Sequence, residues 1–191
     1  VPYKVGVFVG SLSKQSINRR LARALFNLAK GDLELEEIPI GNLPLYNRDF
    51  DSDYPPEGRA LKEAIAKVDA LMFVTPEYNR SIPGALKNAI DWGSRPWGTN
   101  AFAHKPSACI GTSPGKIGTA VAQQHLRSIL SFVNSPELAQ PEAYIQFTDG
   151  LITEDGVVTD DSTAEFLRSW LRGFEEFICK VTSVNRPRVT A

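Results

Sequence analysis

Residues 76–91 read PEYNRSIPGALKNAID, a segment that begins as a loop and finishes as a helix. It follows the run ALMFVT (70–75), apolar enough for a strand buried on both faces. Helix formation resumes at Pro83, which suits a first helical turn because its missing N–H would find no partner there. Between strand and helix stand Pro76, Glu77, Tyr78, Asn79, Arg80 and Ser81, a more polar set than a simple connection needs. Buried strand, polar loop and helix together make one unit of a parallel α/β sheet.

The same unit recurs in both directions along the chain. YKVGVFV (3–9) is a continuous apolar run followed by a helix over 16–29, with Ile17, Leu21, Ala24, Leu25 and Leu28 on one face and Arg19, Arg20 and Arg23 on the other. LELEEI (33–38) alternates and reads as an edge strand. The Pro-, Asp- and Asn-rich stretch 40–56 reads as a long loop, with a helix at 57–67 after it. Downstream, the helix begun at Pro83 runs to Trp92. SACIGT (107–112) and AYIQF (143–147) read as further strands. Helical spacing connects Ile117, Val121, Ala122, Leu126, Ile129, Leu130 and Val133. A last helix over 161–180 carries a core stripe of Phe166, Leu167, Trp170, Leu171, Phe174, Phe177 and Ile178. Alternation of this kind predicts a parallel sheet with helices on both faces. We expect one domain over 1–181 and a loose tail over 182–191.

Composition narrows the function. The 191 residues are 42% hydrophobic and 23% charged, as in ordinary globular chains. Lys plus Arg (21) nearly balance Asp plus Glu (22), so no basic excess points to nucleic acid. No run approaches the length of a membrane span. Cys109 and Cys179 are far apart, as expected of free thiols in a reducing, cytoplasmic setting. The two histidines, His104 and His125, lack acidic or cysteine neighbours at metal-ligand spacing, so no metal site is expected. Trp92 is expected to pack beneath its loop, and Glu36–Glu37 and Asp160–Asp161 read as solvated charges.

Ligands of parallel sheets bind beyond the C-terminal strand ends. Three segments fall there: 10–18, 76–81 and 112–119. GSLSKQSIN (10–18) leads into a helix whose first N–H groups and partial positive charge favour an anion. Ser11, Ser13, Ser16 and Asn18 add donors and Lys14 or Arg19 adds charge, although Ser16 also has the makings of a plain N-cap. TSPGKIGT (112–119) resembles an amide-rich nest. Its GTSPGKIG core (111–118) is one residue short of a Walker loop and has Ile117 where a hydroxyl should be. G-x-G-x-x-G is absent, and no acidic cluster follows the first strand. The three loops therefore suit a phosphate joined to a planar ring.

Together, GSLSKQSIN, PEYNRSIPGALKNAIDW and TSPGKIG resemble the NAD(P)H-dependent FMN reductases of flavodoxin-like fold, in particular the subgroup that reduces quinones and chromate. The resemblance covers nearly the whole chain to about residue 180. It implies a three-layer sandwich around five parallel strands in the order 2-1-3-4-5. It further implies non-covalent FMN, with NADPH or NADH as co-substrate and small-molecule acceptors: quinones, chromate or free flavin.

By the same resemblance the phosphate lies on Ser11, Ser16 and Asn18, with Ser13 and Ile17 beside it. The ring lies against Pro76, Glu77, Tyr78 and Asn79, with Ser81 nearby, and Ser113, Pro114, Gly115, Lys116 and Gly118 border its other side. Asn79 is the candidate catalytic residue, orienting the ring. Many relatives carry Arg where this chain has Ser13, so Lys14 or Arg19 is expected to compensate. Relatives are dimers or tetramers, and the helix over 117–133 is the expected interface. Two rival readings remain at this stage: an electron carrier like flavodoxin, against which a net charge of −1 argues, and a protein of this fold without flavin.

Overall fold

A computed structural model describes residues 1–29 and 31–184. Five parallel strands, β1 (Tyr3–Val9), β2 (Leu33–Glu37), β3 (Ala70–Val74), β4 (Ser107–Ser113) and β5 (Tyr144–Gln146), lie in the order β2-β1-β3-β4-β5. Register pairs Val5 with Leu35 on one side and with Ala70 on the other. β2 is the edge strand that its alternation anticipated. Between the strands run α1 (Ile17–Leu28), α2 (Pro56–Ala66), α3 (Gly84–Ser94) and α4 (Ala120–Phe132), and α5 (Asp161–Val184) follows β5.

Side-chain alternation along the strands divides the core into two layers. Val5, Val7, Val9, Met72, Val74, Ala108 and Ile110 pack with α1 and α5, where Leu21, Leu25, Leu167, Trp170 and Phe174 meet them. Phe8, Leu71, Phe73 and Cys109 face the opposite way, toward Leu61 and Ile65 of α2, Leu86 and Ile90 of α3 and Leu126 and Leu130 of α4. The doubly covered sheet explains why β3 is apolar throughout and β1 nearly so. Trp92 is fully buried, as expected, with its indole N–H donated to the Pro44 carbonyl at 2.7 Å.

Four details differ from the sequence reading. The helix after β4 starts at Ala120, so Ile117 lies ahead of it in an exposed loop. Gly118 enforces the delay: it holds φ +62°, and a Cβ there would come within 2.9 Å of the Tyr144 backbone. Pro83 stands just before α3, in extended geometry, instead of within its first turn. A short 3-10 turn, Arg48–Asp51, interrupts the 40–56 loop. Finally, α5 continues through Val184, which makes residues 182–184 of the expected tail helical; residues 185–191 lie outside those described.

Candidate active site

All three polar loops leave the C-terminal ends of adjacent strands, β1, β3 and β4, and each leads toward a helix N-terminus. In the first, Ser16 is the N-cap of α1, its Oγ accepting the Arg19 N–H at 3.3 Å. No acidic residue occupies that first turn. The N–H groups of Ile17 and Asn18 therefore have neither an intrahelical acceptor nor a carboxylate, among the described residues. Ser11 is buried beside them, its Oγ accepting the Ser13 N–H at 3.4 Å and lying 3.5 Å from the Tyr78 hydroxyl, so the first two loops touch.

The charges here are unequally free. Arg19 makes two 2.9 Å bonds to Glu37, which is thus an ion-pair partner and more than a solvated charge. Lys14 is exposed and forms no ion pair among the described residues. Both line a cleft of about 330 Å³ that also includes Ser16, Arg20 and Arg23. Of the two candidates to replace the missing family arginine, Lys14 is the uncommitted one.

Asn18 is 1% exposed and both ends of its side-chain amide are engaged. Its Nδ2 donates to the Thr112 carbonyl at 2.9 Å and its Oδ1 accepts the Thr112 N–H at 3.0 Å. This residue joins α1 to the end of β4; toward a ligand it offers only backbone. Its spacing in GSLSKQSIN gave no sign of a partner 94 residues away.

In the second loop Tyr78 and Ser81 pair through both backbone bonds, at 2.9 and 3.0 Å. Asn79 (φ 52°) and Arg80 (φ 63°) form the tip between them. Two consecutive positive φ values make a type I′ reverse turn, which Asn accepts readily and Arg does not. The delay before α3 is thus in part a tight turn, whose signal was the Asn between two pairing residues. Pro76 is buried, whereas Tyr78 and Asn79 are exposed.

Glu77 behaves unexpectedly. Its side chain is 7% exposed; Oε2 accepts the N–H groups of Val121 and Ala122, both at 3.1 Å, and Oε1 accepts from Arg80 at 2.9 Å. The carboxylate serves the first turn of α4, leaving the Glu77 backbone as its contribution to a ligand. Ser81 Oγ lies 3.0 Å from His125 Nδ1, a second tie to α4.

The third loop is a compact turn. Ser113 Oγ accepts the Gly115 N–H, and the Gly118 N–H is donated to the Gly115 carbonyl, each at 3.0 Å. Gly118 is buried against Tyr144, away from the loop surface. Pro114, Gly115, Lys116 and Ile117 are exposed, and the N–H groups of Lys116 and Ile117 find no acceptor among the described residues. Of the nest anticipated over 113–118, those two amides remain available. Below it, buried Gln123 donates to Thr119 Oγ1 and the Ala143 carbonyl.

Other candidates for chemistry fall away. Burial pushes the Cys109 thiol up to about 12, so it is no nucleophile at neutral pH. Arg95 lies over exposed Trp97, 5.6 Å from its ring, beside a cavity of about 380 Å³ that reaches Phe132 and Val133. That cavity involves the C-terminal ends of α3 and α4, whereas the second and third loops lie at their N-terminal ends. Among the described residues no cluster of His, Cys, Asp and Glu could hold a metal ion.

Residues 3–149 match the sequence profile of a family described as NADPH-dependent FMN reductase. A 2-hydroxy-1,4-benzoquinone reductase of a Burkholderia species is 46% identical over 175 residues, 92% of this chain and 96% of the relative. A quinone reductase of Pseudomonas putida is 46% identical over 177 residues, 92% and 95% of the two chains. Among solved structures, FerB, a flavoenzyme NAD(P)H:(acceptor) oxidoreductase from Paracoccus denitrificans, superposes with a TM-score of 0.90 at 47% identity. That superposition covers 93% of this chain and 98% of the other.

Proposed function

The chain belongs to the NADPH-dependent FMN reductase family, and we propose that it is an FMN-dependent NAD(P)H oxidoreductase reducing quinones by two electrons. The observation that carries this reading is the open N-terminus of α1. Unpartnered amides, two seryl hydroxyls and no carboxylate in the first turn suit a phosphate. Beside it lie a second loop with exposed Tyr78 and Asn79 and a third with two available amides, a donor set that suits the rim of a flavin ring.

The roles follow from those placements. Ser11, Ser16 and the amides of Ile17 and Asn18 hold the phosphate, with Ser13 and Lys14 at its margin. The backbone of Pro76–Tyr78 and the Asn79 amide orient the ring, with Ser81 closing the turn beneath them. The Lys116 and Ile117 amides, framed by Ser113, Pro114, Gly115 and Gly118, stabilise negative charge that develops on the bound group. Bound at these residues, FMN would supply the redox chemistry, two-electron transfer from NADPH or NADH to the acceptor. No side-chain acid or base is required for the hydride step.

A platform at 76–79 would cover one face of the ring and leave the other open. Nicotinamide and quinone both need reacting atoms at about 3–3.5 Å, so they must occupy that face in turn. Steady-state kinetics should therefore be ping-pong. Parallel double-reciprocal lines at several quinone concentrations are expected; intersecting lines would refute the shared face.

The names of the quinone-reducing relatives support quinone as acceptor; chromate and free flavin are further acceptors of the same open face. One domain carries the activity. We further propose a homodimer or homotetramer built on the outer side of α4, where Phe132 is 75% exposed. Light scattering that returns a 21.0 kDa particle at micromolar concentration would refute assembly. A cytoplasmic setting is supported by the two unbonded cysteines. Among the described residues, no helix is long and apolar enough to cross a membrane.

A further inference from the structure

We propose that Glu77 is a positioning residue for the flavin site, joining the platform at 76–79 to the wall at 113–118 by capping α4 from outside that helix. The inference rests on the FMN reading above.

Helix α4 has no cap of its own. Thr119 stands at its N-cap position without a side-chain cap bond, since its hydroxyl accepts from Gln123. The missing acceptor comes from 44 residues upstream, as Glu77 Oε2 on the Val121 N–H. The same oxygen also takes the Ala122 N–H. The other oxygen holds Arg80, so the carboxylate fixes the reverse turn on its own loop as well as the helix on the next. A carboxylate at a helix N-terminus is favoured by both the free amides and the helix dipole. Here the contact has a geometric result. The wall loop 113–118 runs directly into α4, so whatever fixes the start of α4 against Glu77 fixes the gap between wall and platform. A planar ring between them needs that gap to be constant.

A plain helix cap would contribute stability alone, and the molecule contains such a cap for comparison. Asp160 accepts the Thr163 N–H at 2.7 Å and the Ser162 hydroxyl at 2.6 Å at the start of α5, within its own segment. Asp160 is thus a local cap as well as an exposed charge.

The test measures FMN affinity, the visible circular dichroism of bound FMN and the melting temperature in four variants. Asp160→Ala should melt lower yet bind FMN within about two-fold of the parent, with an unchanged flavin spectrum. Glu77→Ala should weaken FMN about ten-fold or more and alter the spectrum. Glu77→Gln keeps an acceptor oxygen for the α4 amides and should recover most of both. Glu77→Asp, one methylene shorter, keeps the charge but draws loop and helix together, and should shift the spectrum even if Glu77→Ala fails to fold. Parent-like affinity and spectrum in Glu77→Ala or Glu77→Asp would overturn the inference, and so would a Gln variant as impaired as the Ala one. Failure of the functional reading looks different: the parent itself then takes up no FMN.

Discussion

Helices α1 and α4 begin in matching surroundings and end up with opposite roles. Each follows a polar loop at the C-terminal end of a central strand. At α1 the cap is local, from Ser16, and the next amides stay open with no acidic residue in the turn. At α4 the first-turn amides are closed: Ala120 bonds the Ile117 carbonyl, and Val121 and Ala122 bond Glu77. A helix N-terminus is an anion site only if the protein has not already supplied the anion. On the proposed function, the difference favours the first loop for the phosphate and leaves the third loop its two exposed amides for a ligand.

The strongest way to break this contrast is to make α1 resemble α4. Ser16→Asp preserves a good N-cap, so the melting temperature should hold. It sets a carboxylate where the phosphate would sit, and like charges about 4 Å apart near a protein surface repel by roughly 4 kcal/mol. FMN affinity should fall a hundred-fold or more; a Ser16→Asp protein that still binds FMN tightly would put the phosphate elsewhere. Ser16→Ala removes the hydroxyl without adding charge. One lost hydrogen bond to a charged group, about 1.5–3 kcal/mol, predicts ten- to hundred-fold weaker FMN in a direct titration.

Asn18 sharpens the comparison from the structural side, because it sets α1 against β4. Asn18→Ala leaves the Thr112 N–H and carbonyl buried without partners, a loss of about 1–3 kcal/mol of stability that thermal unfolding would register. An unchanged melting temperature would mean the site does not depend on this tie. The smallest expected effect is at Asn79. Glycine tolerates its positive φ, so Asn79→Gly should spare the turn and remove only the amide. Stopped-flow reduction by NADPH should then slow about two- to ten-fold, with NADPH affinity unchanged. Loss of NADPH affinity at a normal reduction rate would move Asn79 from the flavin to the dinucleotide.

Most of this frame was legible from local pattern. Continuous apolar runs marked β1 and β3, a short run of small residues marked β4, and alternation marked the β2 edge. Helical spacing in α1 and α5 matched much of what packs against the sheet, although Phe166 of the expected α5 stripe is exposed. The three loops were legible because their polarity exceeds what connections require. What escaped was every side chain whose partner is remote. The Asn18 amide looked like a ligand group and nothing near Glu77 in sequence pointed to α4, yet their partners lie 94 and 44 residues away. Local signals also misplaced the start of α4. The pattern admitted Ile117, but the steric demand of Gly118 against Tyr144 is set by β5 and holds the helix back to Ala120. The turn at Asn79–Arg80 was readable in principle, and the polarity of the segment drew attention away from it.

The open amides of α1 are tested most directly by paired titrations of the apoprotein with FMN and riboflavin. The two ligands share a ring and differ by the phosphate alone. If Ser16, the Ile17 and Asn18 amides and their neighbours bind that phosphate, FMN should bind at least about a hundred-fold more tightly than riboflavin, a difference of roughly 2.7 kcal/mol. Equal affinities, with both ligands bound, would mean that the ring alone is recognised and that the N-terminus of α1 is not the phosphate site.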